Sequence, residues 1–448
     1  MPSQSRTASE RVRYALWGDR AARTRTLIAV GFLVACVAYL VAVHALGIET
    51  EVMRDRFWKN AEPLFNGVVP ATEYPPLALV FIAIPRFFGS DPWGYEIAYV
   101  AMMYVFMVAG LCLVSRMAAS LGRDRGRAMV AYAVLVILMI EFVLDRFDLI
   151  AMVLTLAAFV LFAERRTVPA FVLLAMGVLT KVYPAVFFPV MVLALAYDRR
   201  YADAVKGLAA FVLTGAAAVA VCVLIDPEII TTFIDYNGDR PLQIESVAAS
   251  LIYPFSMLGL TDVWIQGSSA DSFWSDNLRG AFPDALSEHL LAVTIVAAVA
   301  VWAAYMVLRH RSGGDHGMAL MSVTMLATLL VFLVMNKVFS SQYLIWLIAP
   351  LVMAMMTSPA GSQDGTFKAV VLAMALVQVD FAYNVGYLGG GANIDDLGML
   401  IILAKNAVVI YATYLAVRSM ASVGRGLAGR RAPAPRPGCR GPVRPTLK

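Results

Sequence analysis

About a dozen long apolar segments, separated by short polar loops, are the feature of this 448-residue sequence that most limits its fold. A transmembrane helix needs about 20 consecutive, mainly apolar residues, and most of the segments approach that length. Hydrophobic residues make up 60% of the chain and charged residues 15%, whereas soluble domains are about 45–50% apolar and about 25% charged. The sequence excludes a soluble globular enzyme, a disordered chain and a disulfide scaffold, and it predicts an all-α polytopic membrane protein.

Twelve of the apolar segments are predicted to cross the membrane. One more, from Pro75 to Phe88, would reach only about 21 Å as a helix, which is less than the roughly 30 Å hydrocarbon core. We expect this segment to be an interfacial or re-entrant helix on the outer side. The predicted transmembrane helices lie near residues 26–46, 93–116, 128–145, 149–164, 168–181, 183–197, 205–225, 290–309, 318–336, 341–356, 367–383 and 398–418.

The basic residues predict the orientation of these helices, because cytoplasmic loops carry an excess of Lys and Arg. With the arginine-rich N-terminus inside, the basic clusters at 116–127, 165–166, 199–206 and 309–311 all fall in inner loops. We therefore expect a multi-pass protein of the cell membrane with both termini in the cytoplasm. The expected parts are a basic tail, 1–26; a membrane domain, 27–418, with outer loops at about 47–93 and 226–288; and a basic Pro- and Gly-rich tail, 419–448, expected to be disordered.

The first outer loop is rich in carboxylates, which would suit catalysis at the membrane surface. A general base must be ionised and within hydrogen-bond reach of the hydroxyl that it activates. A solvated loop without a catalytic role would carry the same residues, so both interpretations stay open. The carboxylates are Glu49, Glu51, Asp55, Glu62 and Glu73.

Charged residues within apolar segments are a second set of candidates, because a charge at membrane depth is costly and commonly functional. Glu141, Asp145 and Asp148 are spaced to share one face if a single helix continues through them. A structural pair with Arg146 is the alternative. Lys181 lies between two apolar segments and would suit a phosphate group, although a lysine that snorkels from a helix end would look the same.

Two further sets of residues give weaker signals. Arg240 precedes a predicted short helix, and an arginine near a helix N-terminus can help to bind an anion. Gln342, Tyr343 and Trp346 lie at an outer span boundary, where aromatic residues also serve as interfacial anchors. The four histidines form no metal-binding pair, so we predict no histidine metal site.

Five motifs that occur in a fixed order carry a resemblance to a known family. They are "NAEPLFNGVVPATEYPPLAL", "RFDLIAMVLTLAAFVLF", "GVLTKVYPAVFFPVMVL", "RPLQIES" and "VFSSQYLIWLIAPL". Each motif is short, but their order and spacing make the set specific. Together they resemble the GT-C glycosyltransferases of glycosyltransferase family 87, and the resemblance covers most of residues 27–356.

The resemblance implies a GT-C-like bundle of about 12 transmembrane helices with its active site on the outer face. It implies a polyprenyl-phosphate sugar donor, most often of mannose and in some members of arabinose, and a lipid-linked or glycan acceptor of the cell envelope. In such enzymes an acidic residue of the first outer loop is the base, and transfer inverts the anomeric carbon. No cofactor is implied, a divalent metal is left open, and the expected partners are these substrates and membrane lipids, without nucleic acid.

The resemblance also assigns roles to residues of this sequence. Asp55 ranks first and Glu51 second as the catalytic base. The expected substrate contacts lie in the other motifs: Glu73 and Tyr74 hold substrate, Lys181 and Tyr183 lie near the donor phosphate, Asp148 lies near the sugar, and Arg240, Gln342 and Tyr343 are further contacts.

Two other functions fit an apolar bundle with charges in it. A multispan lipid or sugar transporter or flippase predicts charged residues near the middle of the membrane. Most candidate charges here lie near outer helix ends instead, and Lys405 is the clearest exception. A non-catalytic scaffold of an envelope-assembly complex is the third interpretation.

Overall fold

The computed structural model describes residues 20–45, 57–66, 74–267, 275–312, 317–384 and 394–428, and most of them are helical. Three short 3-10 helices, Ile84–Phe87, Tyr183–Phe187 and Ser341–Leu347, lie between α-helices. The α-helices are α1 Arg20–Ala45, α2 Trp58–Phe65, α3 Pro76–Ala83, α4 Pro92–Ser120, α5 Arg125–Leu138, α6 Ile140–Asp145, α7 Asp148–Ala163, α8 Thr167–Thr180, α9 Phe188–Tyr197, α10 Tyr201–Ile225, α11 Glu228–Gly238, α12 Val247–Met257, α13 Ala281–Ser312, α14 Gly317–Met335, α15 Ile348–Thr357, α16 Asp364–Asn384 and α17 Asp396–Ala428.

Seven helices of the described chain are long and apolar enough, by length and composition, to cross a membrane: α1, α4, α10, α13, α14, α16 and α17. The other apolar helices, such as α7 and α8, have between 10 and 17 residues. The prediction of an all-α membrane protein is therefore confirmed, whereas the count of about twelve spans stays a prediction.

The helices of the bundle differ strongly in how much of their surface is covered by protein. Helix α14 is central, with 78% of its most apolar window buried, and it packs against α13, α15 and α17. Helix α10 has only 6% of the corresponding window buried. Its exposed Val212, Leu213 and Leu224 suit contact with lipid, since lipid tails are as apolar as these side chains.

Arginine contacts gather many helix ends at one end of the bundle, which we call the arginine-rich end. The C-terminal end of α7 lies at this end of the bundle, as shown by Glu164, just after the helix, which pairs with Arg116 at 2.6 Å. Asp148, at the start of α7, therefore lies at the opposite end. The contacts that define the arginine-rich end are Arg116 with Glu164, Arg123 with the Met356 carbonyl, Arg127 with Asp364, Arg200 with Thr167, and Arg309 with Asp198.

At the opposite end, the chain breaks between α6 and α7. The backbone of Arg146 is extended, with φ −123° and ψ 146°, so α6 ends at Asp145 and a new helix begins at Asp148. The condition under which Glu141, Asp145 and Asp148 would share one helical face, a single continuous helix, is therefore not met. The break turns the last residue of one helix and the first residue of the next toward the same end of the bundle.

A second break at this end follows α8. Lys181 is extended, with φ −153° and ψ 134°, and the chain then forms the 3-10 helix Tyr183–Phe187 before α9. Proline at position 184 cannot donate a backbone hydrogen bond, which favours such an interruption. The break leaves the Lys181 side chain beside the start of α7.

The predicted outer loops contain ordered structure of their own. The first includes α2, and the segment Pro75–Phe88 is a short helix, α3, that ends in the 3-10 helix Ile84–Phe87. The second includes α11, α12 and a small antiparallel sheet in which β1, Trp264–Gln266, pairs with β2, Asn277–Arg279. Helix α17 runs on to Ala428, ten residues past the expected start of the C-terminal tail.

Candidate functional site

A lysine–aspartate pair forms the centre of the site at the end opposite the arginine-rich end. Lys181 and Asp148 come from neighbouring helices, α8 and α7, which contact each other along their lengths. The Lys181 Nζ lies 3.2 Å from Asp148 Oδ2. The Asp148 side chain is 1% exposed and that of Lys181 is 16% exposed, so the lysine neutralises a buried carboxylate while part of its own side chain stays exposed.

The 3-10 helix Ser341–Leu347, which we call the platform turn, lays aromatic rings against this pair. The Trp346 Nε1 donates a hydrogen bond of 2.6 Å to Asp148 Oδ1. The Trp346 ring stacks with Tyr183, with centroids 4.4 Å apart and 4° between planes, and with Tyr343, at 3.9 Å and 18°. These three buried rings form a face-to-face stack, which we call the aromatic platform.

The Lys181 ammonium lies over aromatic faces as well as beside a carboxylate. Its Nζ is 5.1 Å from the Phe147 centroid, 5.6 Å from that of Tyr343 and 5.9 Å from that of Trp346. Aromatic faces attract a cation without supplying a hydrogen-bond acceptor. Since an ammonium has three donors and Asp148 takes one, Lys181 keeps donors for an anionic ligand within the described part of the chain.

Two aromatic residues from the first predicted outer loop close the other side of the cluster. The Tyr74 and Phe147 rings meet edge to face at 4.8 Å. Phe57 lies 5.6 Å from Phe147 and 6.0 Å from Tyr74 between centroids. The carboxylates predicted to act here, Asp55, Glu51 and Glu73, fall outside the described residues, so their roles stay predictions.

Next to this cluster is a second set of polar groups that the sequence did not single out as a site. Asp145 is 8% exposed, and its Oδ2 lies 2.9 Å from the Arg146 Nε. The Tyr99 hydroxyl, on α4, lies within electrostatic range of both Asp145 and Asp148. Tyr99 also packs against Phe57, with centroids 5.5 Å apart, so both sets share one wall.

A buried network holds the first residue of the platform turn. The Ser341 backbone N–H donates to Glu245 Oε2 at 2.7 Å, and its hydroxyl donates to Asp380 Oδ2 at 3.2 Å. Lys405, which is 0% exposed, donates to Ser341 Oγ at 2.8 Å and to Asp380 Oδ2 at 2.5 Å. Asn384 completes the shell with a 2.6 Å bond to Asp380 Oδ1. The network joins α16, α17 and the segment before α12 to the platform turn.

Two of the predicted substrate contacts, Arg240 and Gln342, have no described contact with the Lys181–Asp148 pair. Arg240 lies with its guanidinium over Tyr236, 5.6 Å from the ring centroid, and no described contact links it to the Lys181 pair. Its charge acts on Lys337, whose pKa is lowered chiefly by burial, with Arg240 adding to the effect. Gln342 is partly exposed on the platform turn beside Tyr343.

The structure thus brings five of the predicted substrate residues into one cluster: Tyr74, Asp148, Lys181, Tyr183 and Tyr343. Sequence reasoning left Trp346 open between a site residue and an interfacial anchor, and it overlooked Tyr99. Tyr95 and Tyr99 are spaced four residues apart with buried Met103 and Met107, a pattern typical of any core face. Among the described residues, no group of three or more His, Cys, Asp or Glu side chains could hold a metal ion.

Comparison with known proteins identifies the family. The model of glycosyltransferase family 87 matches residues 72–335, which is more than half of the chain and includes Tyr74, Asp148, Lys181, Tyr183 and Arg240. The platform turn follows the matched region. A search of curated proteins finds no match. The chain belongs to glycosyltransferase family 87, and it is a membrane glycosyltransferase.

Proposed function

We propose that the protein transfers a hexose, mannose, from a polyprenyl-phosphate donor to a hydroxyl of a cell-envelope glycolipid or glycan, on the outer face and with inversion. The observation that carries the proposal is the partly exposed Lys181 side chain, whose ammonium is held by Asp148 next to the aromatic platform. Each feature of this arrangement corresponds to a part of such a donor.

The donor phosphate suits Lys181. A polyprenyl-phosphate sugar carries its negative charge on the phosphate, and this group gains charge when the bond to the sugar breaks. An ammonium fixed nearby stabilises that developing charge without a metal ion. Phe147 and the aromatic platform exclude water around the cation, which strengthens the attraction.

The sugar suits the aromatic platform and Asp148. Sugar-binding sites pair apolar faces with a small number of fixed polar groups that set orientation. The face of Trp346 is stacked with two tyrosines, and its N–H is fixed on Asp148. The carboxylate of Asp148 is thereby held in one position at the edge of the platform.

The reaction also needs a carboxylate base. We assign this role to Asp55, or otherwise to Glu51, in the segment that leads to Phe57. The carboxylate takes the proton of the acceptor hydroxyl while the oxygen of that hydroxyl forms a bond to the anomeric carbon. The bond from that carbon to the phosphate oxygen breaks, and polyprenyl phosphate leaves with the electron pair.

The outer location rests on charge. The cluster lies at the end of the bundle opposite the arginine-rich end, and an excess of arginine is typical of the cytoplasmic side. A donor with a long polyprenyl chain would then reach the cluster from the outer leaflet, with its phosphate at the level of Lys181.

The test is a transfer assay on purified protein in lipid nanodiscs, with labelled polyprenyl-phosphate-mannose and a membrane lipid extract as acceptor. Asp55→Asn and Glu51→Gln run in parallel with wild type. We expect transfer by wild type and loss in one of the two variants, which identifies the base. If both variants retain transfer, the assignment of the base is wrong.

A parallel assay with polyprenyl-phosphate-arabinose tests the choice of sugar. Transfer of arabinose alone would overturn mannose and keep the donor class. Failure with both donors, together with movement of labelled lipid or sugar across proteoliposomes, would replace the proposal with the transporter interpretation.

A further inference from the structure

Several buried polar atoms near the Lys181 pair have no hydrogen-bond partner among the described residues: Asp145 Oδ1, the Arg146 Nε and the hydroxyls of Tyr99 and Tyr183. The Arg146 Nε lies 2.9 Å from Asp145 Oδ2 and the Tyr183 hydroxyl lies close to Thr155, which leaves Asp145 Oδ1 and the Tyr99 hydroxyl. Tyr99 is 0% exposed and Asp145 is 8% exposed. Buried polar groups are nearly always hydrogen-bonded, and an exception calls for an explanation such as a ligand.

Both groups lie next to the residues of the Lys181 cluster. Tyr99 packs against Phe57, and Phe57 packs against Phe147, with ring centroids 5.5 Å and 5.6 Å apart. Asp145 is separated from Asp148 only by Arg146 and Phe147, across the break between α6 and α7, and α6 contacts α4, which carries Tyr99. The unpartnered groups therefore border the cluster that holds Lys181.

The chemistry of the two groups is complementary. One oxygen of Asp145 lies 2.9 Å from the Arg146 Nε, and the other oxygen has no described hydrogen-bond partner. A tyrosine hydroxyl both donates and accepts. A ligand that offers hydroxyl groups on adjacent carbons would satisfy both atoms at once, whereas an anion would be repelled by the carboxylates.

We infer that Asp145 Oδ1 and the Tyr99 hydroxyl bind hydroxyl groups of the donor sugar and form a subsite that selects the sugar. This inference rests on the proposed function, since it places the sugar next to a phosphate held by Lys181. The subsite recognises the arrangement of hydroxyl groups on the sugar ring, and Lys181 binds the phosphate. Sites built to hydrogen-bond a substrate hydroxyl strongly reject an analogue that lacks it.

The experiment compares the parent donor with donors whose sugar lacks one hydroxyl. Polyprenyl-phosphate-mannose and its 2-, 3-, 4- and 6-deoxy analogues are assayed with wild type and Asp145→Asn, and kcat/KM is measured for each pair. In wild type, at least one deoxy donor is expected to lose about 10²-fold or more. For that donor alone, Asp145→Asn should cause little further loss, because the bond is already absent.

Two tyrosines of α4 supply a matched control. Tyr99→Phe removes a hydroxyl without a described partner, so it should lower transfer of the parent donor without lowering thermal stability. Tyr95→Phe removes a hydroxyl that donates to the Ile82 carbonyl at 2.9 Å. It should lower thermal stability and leave the discrimination between donors unchanged.

Three outcomes separate the inference from its foundation. If wild type fails to use any polyprenyl-phosphate hexose, the proposed function is wrong and the inference falls with it. If wild type is active while Asp145→Asn lowers kcat/KM by the same factor for the parent donor and for every deoxy donor, Asp145 does not bind a sugar hydroxyl, and the proposed function stands. If Tyr99→Phe leaves every kcat/KM value unchanged, the tyrosine holds a buried water molecule and not the sugar.

Discussion

Two lysine–aspartate pairs lie near the same end of the bundle, and they differ in how completely the protein satisfies them. Lys405 is fully buried and bonded to both Asp380 and Ser341, and Asp380 is bonded on its other oxygen to Asn384. Lys181 has a side chain that is 16% exposed, and Asp148 is its described hydrogen-bond acceptor. The comparison teaches that a charge can stabilise the fold or remain available to a ligand, and that the number of partners distinguishes these roles.

The two pairs are also connected. Ser341, which the Lys405 pair holds, begins the platform turn, and Trp346 of that turn holds Asp148. The closed pair therefore anchors the element that positions the open one. Substitutions that act on one pair at a time should separate loss of stability from loss of transfer.

The largest effect is expected at the closed pair. Lys405→Met leaves Asp380 buried without its cation, and removal of one partner of a buried ion pair costs about 3–5 kcal/mol. Thermal unfolding in nanodiscs measures the loss. The double variant Lys405→Met with Asp380→Asn should recover part of it, because Asp380 is then neutral while buried Glu245 still lacks the nearby cation. A single variant that unfolds at the wild-type temperature would contradict the structural role.

The Lys181–Asp148 pair, which we call the open pair, should show its main effect on the rate of transfer. Lys181→Met is expected to lower kcat/KM by about 10²–10³-fold, the usual effect of removing one fixed group that stabilises developing negative charge. Its melting temperature should also fall, because Asp148 is 1% exposed and loses its cation, so kcat/KM is measured well below that temperature. Lys206→Met, which changes an exposed lysine of α10, is the matched control. Equal activity of the two variants would remove Lys181 from the site.

The bond between the two regions can be tested by a smaller change. Trp346→Phe keeps an aromatic ring on the platform and removes the N–H that donates to Asp148. A hydrogen bond to a charged group contributes about 1.5–3 kcal/mol, so kcat/KM should fall by at least tenfold. Trp302→Phe is the control, because its indole nitrogen has no described partner. If both variants behave alike, Asp148 does not depend on the indole.

The pH dependence of stability sharpens the role of Glu245, which lies between α11 and α12. Burial raises its pKa, although nearby Lys405 opposes the shift. The folded protein then binds this proton more tightly than the unfolded chain, so stability falls as pH rises from the ordinary carboxyl pKa toward the raised one. Glu245→Gln should flatten that part of a melting-temperature series. An unchanged slope would show that Glu245 does not titrate in this range.

The smallest effect is expected at the arginine-rich end. Arg116 and Glu164 form an ion pair on the surface, with the Arg116 side chain 51% exposed, and such pairs are screened by solvent. Arg116→Gln should leave both the melting temperature and the transfer rate unchanged within error. A clear loss of transfer would mean that the two ends of the bundle are coupled.

Much of the fold could be predicted from hydropathy alone. The apolar segments coincide with helices because each must satisfy its backbone hydrogen bonds internally. Lys181 and Asp148 could be predicted because charge is costly among apolar residues. The break near Arg146 agrees with the predicted boundary between the segments 128–145 and 149–164, but the packing that brings Asp148 to Lys181 and Trp346 could not be predicted.

The remaining site residues carry no distinct signal in the sequence. Trp346 lies 198 positions from Asp148, and nothing local to either residue predicts their hydrogen bond. Tyr99 has the spacing of an ordinary core residue, and only the lack of a partner for its hydroxyl sets it apart. These contacts depend on how helices distant in sequence pack, which hydropathy does not report.

The two bonds to Asp148 also differ in when they can form during synthesis. Lys181 is 33 residues away and Trp346 is 198 residues away. The ribosome adds about 5–20 residues per second, so Lys181 is available roughly 8 to 30 seconds before Trp346 is made. The carboxylate can be neutralised as soon as α7 and α8 have been inserted as a hairpin. Completion of the site requires the last third of the chain. In an unfinished chain Lys181 can therefore neutralise Asp148 before Trp346 and the rest of the aromatic platform have been made.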